Sequence, residues 1–234
     1  AEYKYSFNYQ NWFPSVEYET TNTIKNIGLF DLSPFAKFEL KSVRAHDELQ
    51  KICTSNIKNE IGKCTYTHML NKDGGIETDL TIVCLDKNYF RIISSAATRE
   101  RDKFHINKNL SKGISVKDVT DDFCVFGLFG PKSRLLMEDL CNEDFSNENF
   151  KFAKSKYIKI NEIKIWVQRL SYVGELGYEL YVEKSDARKI YEIIIQKGRN
   201  FNLSNCGMHA LDIMRMECGF LHWGHDISPE ENQY

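Results

Sequence analysis

The sequence predicts an α+β fold: antiparallel sheets with helices packed against them. Two observations carry that prediction. Short runs rich in β-branched and aromatic residues come in neighbouring groups, 66–85 with 89–95 and 163–168 with 178–183, joined by tight Gly-containing or polar turns. Charged or amphipathic stretches at helical spacing interrupt those groups rather than alternating one for one with single strands, which argues against a doubly wound sheet. No internal repeat or low-complexity segment points to an array instead.

In chain order, residues 1–20 are aromatic and irregular, with Trp12, Phe13 and Pro14, and read as an extended arm laid over a surface. Asn22 to Ile27 reads as a short helix ending near Gly28. Phe35 to Lys41 alternates Phe38 and Leu40 with Lys37, Glu39 and Lys41, the pattern of a half-buried strand. Leu49, Ile52 and Cys53 recur at helical spacing. The two extended runs around Asn71-Lys72-Asp73-Gly74-Gly75 form a hairpin whose turn glycine permits. A third strand, Tyr89 to Ser95, follows, and the charged stretch Ala96 to Leu110 is helical. Cys124, Phe126 and Leu128 alternate within a strand region from Val116 to Phe129. Gly130-Pro131 opens a helix through Leu140, with proline at the first position, where its missing N–H costs little. Ile163, Ile165 and Val167 alternate with Lys164, Trp166 and Gln168, and Tyr178 to Glu183 pairs back after the turn at 174–177. Ser185-Asp186 caps an amphipathic helix through Lys197 that Gly198 closes, and Met208 to Cys218 is a last helix stopped by Gly219.

A chain of 234 residues is one large domain or two small ones and can bury most of its unfolded surface. Its 31 basic and 33 acidic residues nearly cancel, which gives no reason to expect nucleic acid or a membrane surface as a partner. No apolar run reaches the ~18 residues a spanning helix needs. The polar, aromatic start does not read as a secretory leader. Seven cysteines without a Cys-x-x-Cys pair, several of them within apolar runs, fit a reducing compartment: the cytoplasm, or the mitochondrial matrix in a eukaryote. The missing initiator Met and the stop at 227–234, with no helix- or strand-ending signal, predict a fragment of a longer chain.

The chemistry is sought among carboxylates. On the strand Ile76 to Leu85, Ile76, Leu80, Ile82 and Cys84 point one way and Glu77, Asp79, Thr81, Val83 and Leu85 the other. Asp79 therefore stands among mostly apolar neighbours, either as a solvated residue beside Glu77 or as a carboxylate in use. In Ser171-Tyr172-Val173-Gly174-Glu175-Leu176-Gly177-Tyr178-Glu179, glycines bracket Glu175 in an aromatic-lined turn. That carboxylate is either an ordinary hairpin tip or an acceptor for the amidine-like edge of a ligand. Arg169 continues the aliphatic face of its strand, a candidate buried cation. No metal site is expected: His222-x-x-His225 is the one close His pair, and only Asp226 stands near it as a further ligand. Gly-x-Ser-x-Gly is absent, and neither glycine pair has a phosphate-loop or dinucleotide setting.

Five blocks stand in a telling order: Tyr66-Thr67 with Met69-Leu70-Asn71; Gly74-Gly75-Ile76 with Asp79-Leu80-Thr81; Gly127 to Arg134; Ser171 to Glu179; and Arg215 to Gly219 before Trp223-Gly224-His225-Asp226-Ile227. This order resembles the aminomethyltransferase family, the T-protein of the glycine cleavage system and its relatives, over essentially the whole chain. It looks most like the folate-binding C-terminal half of dimethylglycine and sarcosine dehydrogenases, through Asn11-Trp12-Phe13, Gly28 to Glu39 and the block at Trp223. The T-protein itself usually has a His-Met-Gly type of sequence where Pro34-Phe35-Ala36 stands here.

The resemblance implies a T-protein-like folate-binding fold, a three-lobed disc with a central folate channel, here lacking the C-terminal β-barrel lobe. Two lobes would remain, about 1–50 with 125–220, and 51–124. The family's catalytic Asp falls on Asp79, and the acidic residue that holds the pterin falls on Glu175. Tyr66, Tyr172 and Arg169 match positions that line or support the folate pocket. Two positions depart from the pattern: Thr78 replaces the first of a usual Asp pair, and Leu211 replaces an Arg. The implied cofactor is tetrahydrofolate, with FAD only if a dehydrogenase domain lies upstream. The implied activity moves a one-carbon unit from an aminomethyl or N-methyl amine to give 5,10-methylenetetrahydrofolate. Its partners would be a small-molecule amine or a lipoyl carrier protein, with a covalently linked flavin domain in the dehydrogenase branch. The alternatives are a non-catalytic folate-binding or structural module of a larger dehydrogenase, and a folate-dependent demethylase yielding 5-methyl folate.

Overall fold

The computed structural model describes residues 2–231 and divides into two compact units. Unit 1 gathers residues 1–32, 124–152 and 157–220; unit 2 gathers 33–123, 153–156 and 221–234. Each has its own sheet and its own apolar core.

Unit 1 begins with an irregular aromatic segment. Tyr3 and Tyr5 meet the edges of Trp12, whose ring stacks at 5.9 Å on His209. The extended arm expected through residue 20 ends sooner, because α1 runs Phe13–Lys25 with Pro14 in its first turn. The strand β1, Ile27–Asp31, then occupies the place where the sequence predicts a helix end, with Gly28 inside it. The reason is tertiary. Asn22 donates to the carbonyls of Ile27 and Asn202 and to Ser204 Oγ at 2.8–3.1 Å, tying the end of α1 to two strands.

The other elements of unit 1 are β7 (Phe123–Phe129), α4 (Ser133–Cys141), β8 (Ser155–Ile160), β9 (Ile163–Gln168), β10 (Gly177–Glu183), α5 (Ala187–Gly198), β11 (Leu203–Cys206) and α6 (Met208–Glu217). Pro131 lies just before α4 rather than at its first residue. The sheet order is β11-β1-β7-β10-β9-β8, with β1 and β11 parallel and β1–β7 and β9–β10 antiparallel. Leu128, Val167, Leu180, Leu136, Met137, Ile190 and Ile194 share one core, so α4 and α5 cover one face of this sheet.

Unit 2 is antiparallel throughout, in the order β3-β4-β5-β2-β6. The strands are β2 (Ala36–Lys41), β3 (Cys64–Leu70), β4 (Ile76–Asp86), β5 (Tyr89–Ser94) and β6 (Lys117–Asp118), with α2 (Ala45–Ile52) and α3 (Arg99–Asn109). Phe38, Leu40, Leu49, Leu80, Ile82, Phe90, Ile92 and Ile106 build its core. The sequence reading groups residues 33–50 with the first lobe; β2 pairs with β5 and Leu49 packs on Phe90's cluster, so they belong to unit 2. β2 is buried on both faces, not half-exposed. Lys37 is fully buried and satisfied, its Nζ donating to the carbonyls of Ser33 and Phe35 at 2.9 and 2.7 Å. Glu39, across from Arg91, accepts its guanidinium at 2.6 Å, a buried pair that also receives Tyr89 Oη. Both sheets are open, the α+β architecture expected, and no closed barrel forms among the described residues.

Candidate functional site

The hairpin β3–β4 carries the first group of candidates. Its register sets His68 opposite Asp79 and Tyr66 opposite Thr81, and directly opposed residues share a face. Tyr66, His68, Asp79 and Thr81 thus line one face, while Thr67, Met69, Thr78 and Leu80 are buried on the other. Tyr66 Oη donates to Asp79 Oδ2 at 3.0 Å, His68 Nε2 lies 3.3 Å from the same Oη, and the two rings meet edge-on at 5.3 Å. Asp79 is half-buried, and loss of water around it pushes its carboxyl pKa up. The hydrogen bond from Tyr66 and the charges of His68 and His222 pull the other way without cancelling the rise. A carboxylate so placed binds a proton more readily than one in water while keeping a donor in contact.

The start of β4 is pinned by features that the strand pattern does not reveal. Glu77 is an extra residue between the pairs Met69–Thr78 and Leu70–Ile76, a bulge of the kind that re-aims side chains. Arg101 of α3 grips it, donating to Glu77 Oε1 at 2.6 Å and to its carbonyl at 2.5 Å, and lies 4.2 Å over the ring of Trp223. Trp223 Nε1 in turn donates to the carbonyl of Ile76 at 2.8 Å, and Ile76 N donates to Glu231 O at 2.9 Å. Gly75 is required here: a Cβ at that position would lie 1.8 Å from the carbonyl oxygen of Pro229. Behind the strand Asp102 is fully buried. It accepts from Thr98 Oγ1 at 2.6 Å, and burial raises its pKa against hydroxyls that include Thr78.

Unit 1 holds the second group. Gly174 has φ +76°, and a Cβ there would stand 2.0 Å from Cys218 Sγ, so a glycine makes the turn into Glu175. Glu175 is half-buried and has no hydrogen-bond or ion-pair partner among the described residues; burial alone raises its pKa. Tyr172 stacks on Phe220 at 6.0 Å and 14°. Arg169 lies just beyond β9 rather than within its aliphatic face, and is half-buried. It donates to Phe150 O at 2.5 Å and Asn147 Oδ1 at 2.6 Å, holding the loop before β8. Leu211 is buried in α6, and Arg215, one turn on, pairs with Asp212 at 2.7 Å.

Of the five residues singled out from sequence, Tyr66 and Asp79 are in contact in unit 2, while Tyr172, Glu175 and Arg169 belong to unit 1. Three further polar groups escaped that reading. His68 and Arg101 were hidden because their positions depend on strand register and on a distant helix. Glu179 alternates with buried Tyr178 and Leu180 and so reads as solvent-facing, yet burial pushes its carboxyl up to about 7, with Tyr181 Oη donating to it at 3.0 Å. Among the described residues no group of three or more His, Cys, Asp or Glu could hold a metal, and no helix is long and apolar enough to cross a membrane.

Comparison with known proteins gives a consistent result. The GCVT N-terminal domain profile matches residues 1–234. The chain is 36% identical over 234 residues to 4-methylaminobutanoate oxidase (formaldehyde-forming) of Paenarthrobacter nicotinovorans, covering 99% of this chain and 28% of that protein. It is 32% identical to mitochondrial dimethylglycine dehydrogenase of Rattus norvegicus, covering 99% of this chain and 27% of the relative. The chain thus spans about a quarter of the length of these relatives. Its fold superposes on the glycine cleavage system aminomethyltransferase T of Bartonella henselae with a TM-score of 0.83 at 22% identity, over 99% of this chain and 63% of that one. With its whole length matched, the chain belongs to the GCVT N-terminal domain family, among aminomethyltransferases and dimethylglycine dehydrogenases.

Proposed function

We propose that this chain is the tetrahydrofolate-binding part of a larger enzyme that captures a one-carbon unit released from an N-methyl amine, giving 5,10-methylenetetrahydrofolate. One observation carries the reading: Asp79, half-buried with a raised pKa, presented by a pinned hairpin and hydrogen-bonded by Tyr66. Two of the relatives, a formaldehyde-forming oxidase and a dimethylglycine dehydrogenase, favour an N-methyl amine over a lipoyl carrier as the carbon source. An FAD domain elsewhere in the longer protein would oxidise that amine.

The chain's own groups suit the cofactor. Glu175, unpaired and partly desolvated, can accept two parallel N–H bonds from the 2-amino and N3 edge of a pterin, as a carboxylate does from arginine. Tyr172 offers a flat contact for a ring, backed by Phe220. Tetrahydrofolate, when bound, supplies the amine nitrogen that takes up the carbon. Asp79 holds that N–H and takes its proton, and its raised pKa strengthens it as a base. Tyr66 keeps the carboxylate oriented through Oδ2. Arg101, Trp223 and Gly75 fix the start of the strand that carries Asp79.

The test supplies the full-length protein with tetrahydrofolate and formaldehyde and follows 5,10-methylenetetrahydrofolate. The reading expects formation well above the uncatalysed rate. Folate binding without acceleration would make the chain a binding module, and 5-methyl folate from a methyl donor would make it a demethylase.

A further inference from the structure

We infer that Tyr66 and His68 form a proton relay that drains Asp79 during the transfer, with His68 as the terminal acceptor. This rests on the reading of Asp79 as the base. The geometry is a chain of three groups on one face of one hairpin: Asp79 Oδ2, Tyr66 Oη at 3.0 Å, and His68 Nε2 a further 3.3 Å on. The cross-strand pairing of His68 with Asp79, and the two-residue spacing of His68 from Tyr66, hold all three by backbone register rather than by flexible loops. Tyr66 is 55% exposed, so the chain meets water at its phenol, while His68 and Asp79 at its two ends are both half-buried.

The proton count follows from the single hydrogen on the phenol. While Asp79 is ionised, that hydrogen is given to Oδ2. When Asp79 has taken a proton from the amine, its carboxyl O–H can donate to Oη, and the phenol hydrogen passes to Nε2. Two O–H bonds break and one O–H and one N–H bond form. Asp79 is again a carboxylate, Tyr66 is again a phenol, and His68 is an imidazolium that loses its proton to solvent. The passage requires neutral His68 to carry its hydrogen on Nδ1. Glu77, two residues earlier on β4, is engaged by Arg101 of α3, and His105 and buried Asp102 of α3 face Glu77 and Thr98 respectively. His222, from the segment after α6, acts on Asp79 through its charge.

The experiment has two arms in the full-length protein. Selective ¹⁵N labelling of histidine reads the His68 tautomer without any turnover. The relay expects an unprotonated Nε2 in the neutral ring, so that the 3.3 Å gap between Oη and Nε2 holds a hydrogen only once Asp79 is protonated. A neutral His68 with its hydrogen on Nε2 overturns the proposal. In the kinetic arm, His68→Gln is expected to lower kcat for methylenetetrahydrofolate formation roughly 10-fold with KM unchanged, and imidazole in the buffer to restore it. An unchanged kcat, or a loss that imidazole does not restore, overturns it as well. If the parent protein forms no methylenetetrahydrofolate, the assigned function fails, and the tautomer still decides whether the three groups are coupled.

Discussion

Asp79, Glu175 and Glu179 all have carboxyl pKa values raised by burial, but they differ in what surrounds them. Asp79 keeps a donor and a charged neighbourhood, and as the base it must be ionised to work. Activity is therefore expected to fall with acid at a pH above the ordinary carboxylate range. Tyr66→Phe, by removing a bond that favours the anion, should move that acid limb higher in a pH–rate profile; a limb shifted lower would contradict the assignment. Glu175 has no hydrogen-bond or ion-pair partner among the described residues, so its bonds are available to a ligand. Glu175→Gln should weaken tetrahydrofolate binding by about 10-fold or more in a titration, with kcat little changed at saturation. Glu179 is a stability group. Its folded pKa of about 7 lies above the unfolded value, so the folded state holds the proton more tightly. The stability this adds is complete below about pH 4 and is lost as pH rises through 7, roughly 3 kcal/mol in all. Denaturant midpoints at pH 5 and pH 8 should show that loss in the parent and not in Glu179→Gln.

Among the elements, the β3–β4 hairpin depends most visibly on single residues. Gly75→Ala would drive a methyl group into the carbonyl of Pro229 and should cost at least about 2 kcal/mol in a thermal or denaturant melt. An unchanged melt would mean that the segment after α6 does not hold the hairpin. The alternation of β4 was legible because period-two burial is a local property of the chain, and it placed Asp79 and Thr78 on opposite faces as observed. Tyr66 could be read the same way. His68 could not, because its meeting with Asp79 depends on a register that the bulge at Glu77 shifts. The misreadings at α1 and β1 have a related cause. α1 buries only Val16, Asn22 and Thr23, too little apolar surface to mark a helix, and its polar side chains are matched to strands far along the chain. β11, four residues long and parallel to β1, has no local signature either.

At the scale of the molecule, two sheets with two separate cores account for 234 residues. Phe90 is fully buried in one core and Phe145 in the other. Phe90→Ala should cost about 3–5 kcal/mol and raise amide exchange first in β2–β5, while Phe145→Ala raises it first around α4 and β10. Exchange that rises equally everywhere from either substitution would contradict two cores. The family places this chain beside proteins about four times its length, so its chemistry is proposed as one part of a larger enzyme. The central claim is that Asp79 takes the proton when tetrahydrofolate receives a one-carbon unit. Its most direct test is Asp79→Asn in the full-length protein, with tetrahydrofolate affinity and methylenetetrahydrofolate formation measured on the same preparation. The account predicts affinity nearly unchanged and turnover reduced by roughly 100-fold or more. Affinity and turnover both retained would contradict it.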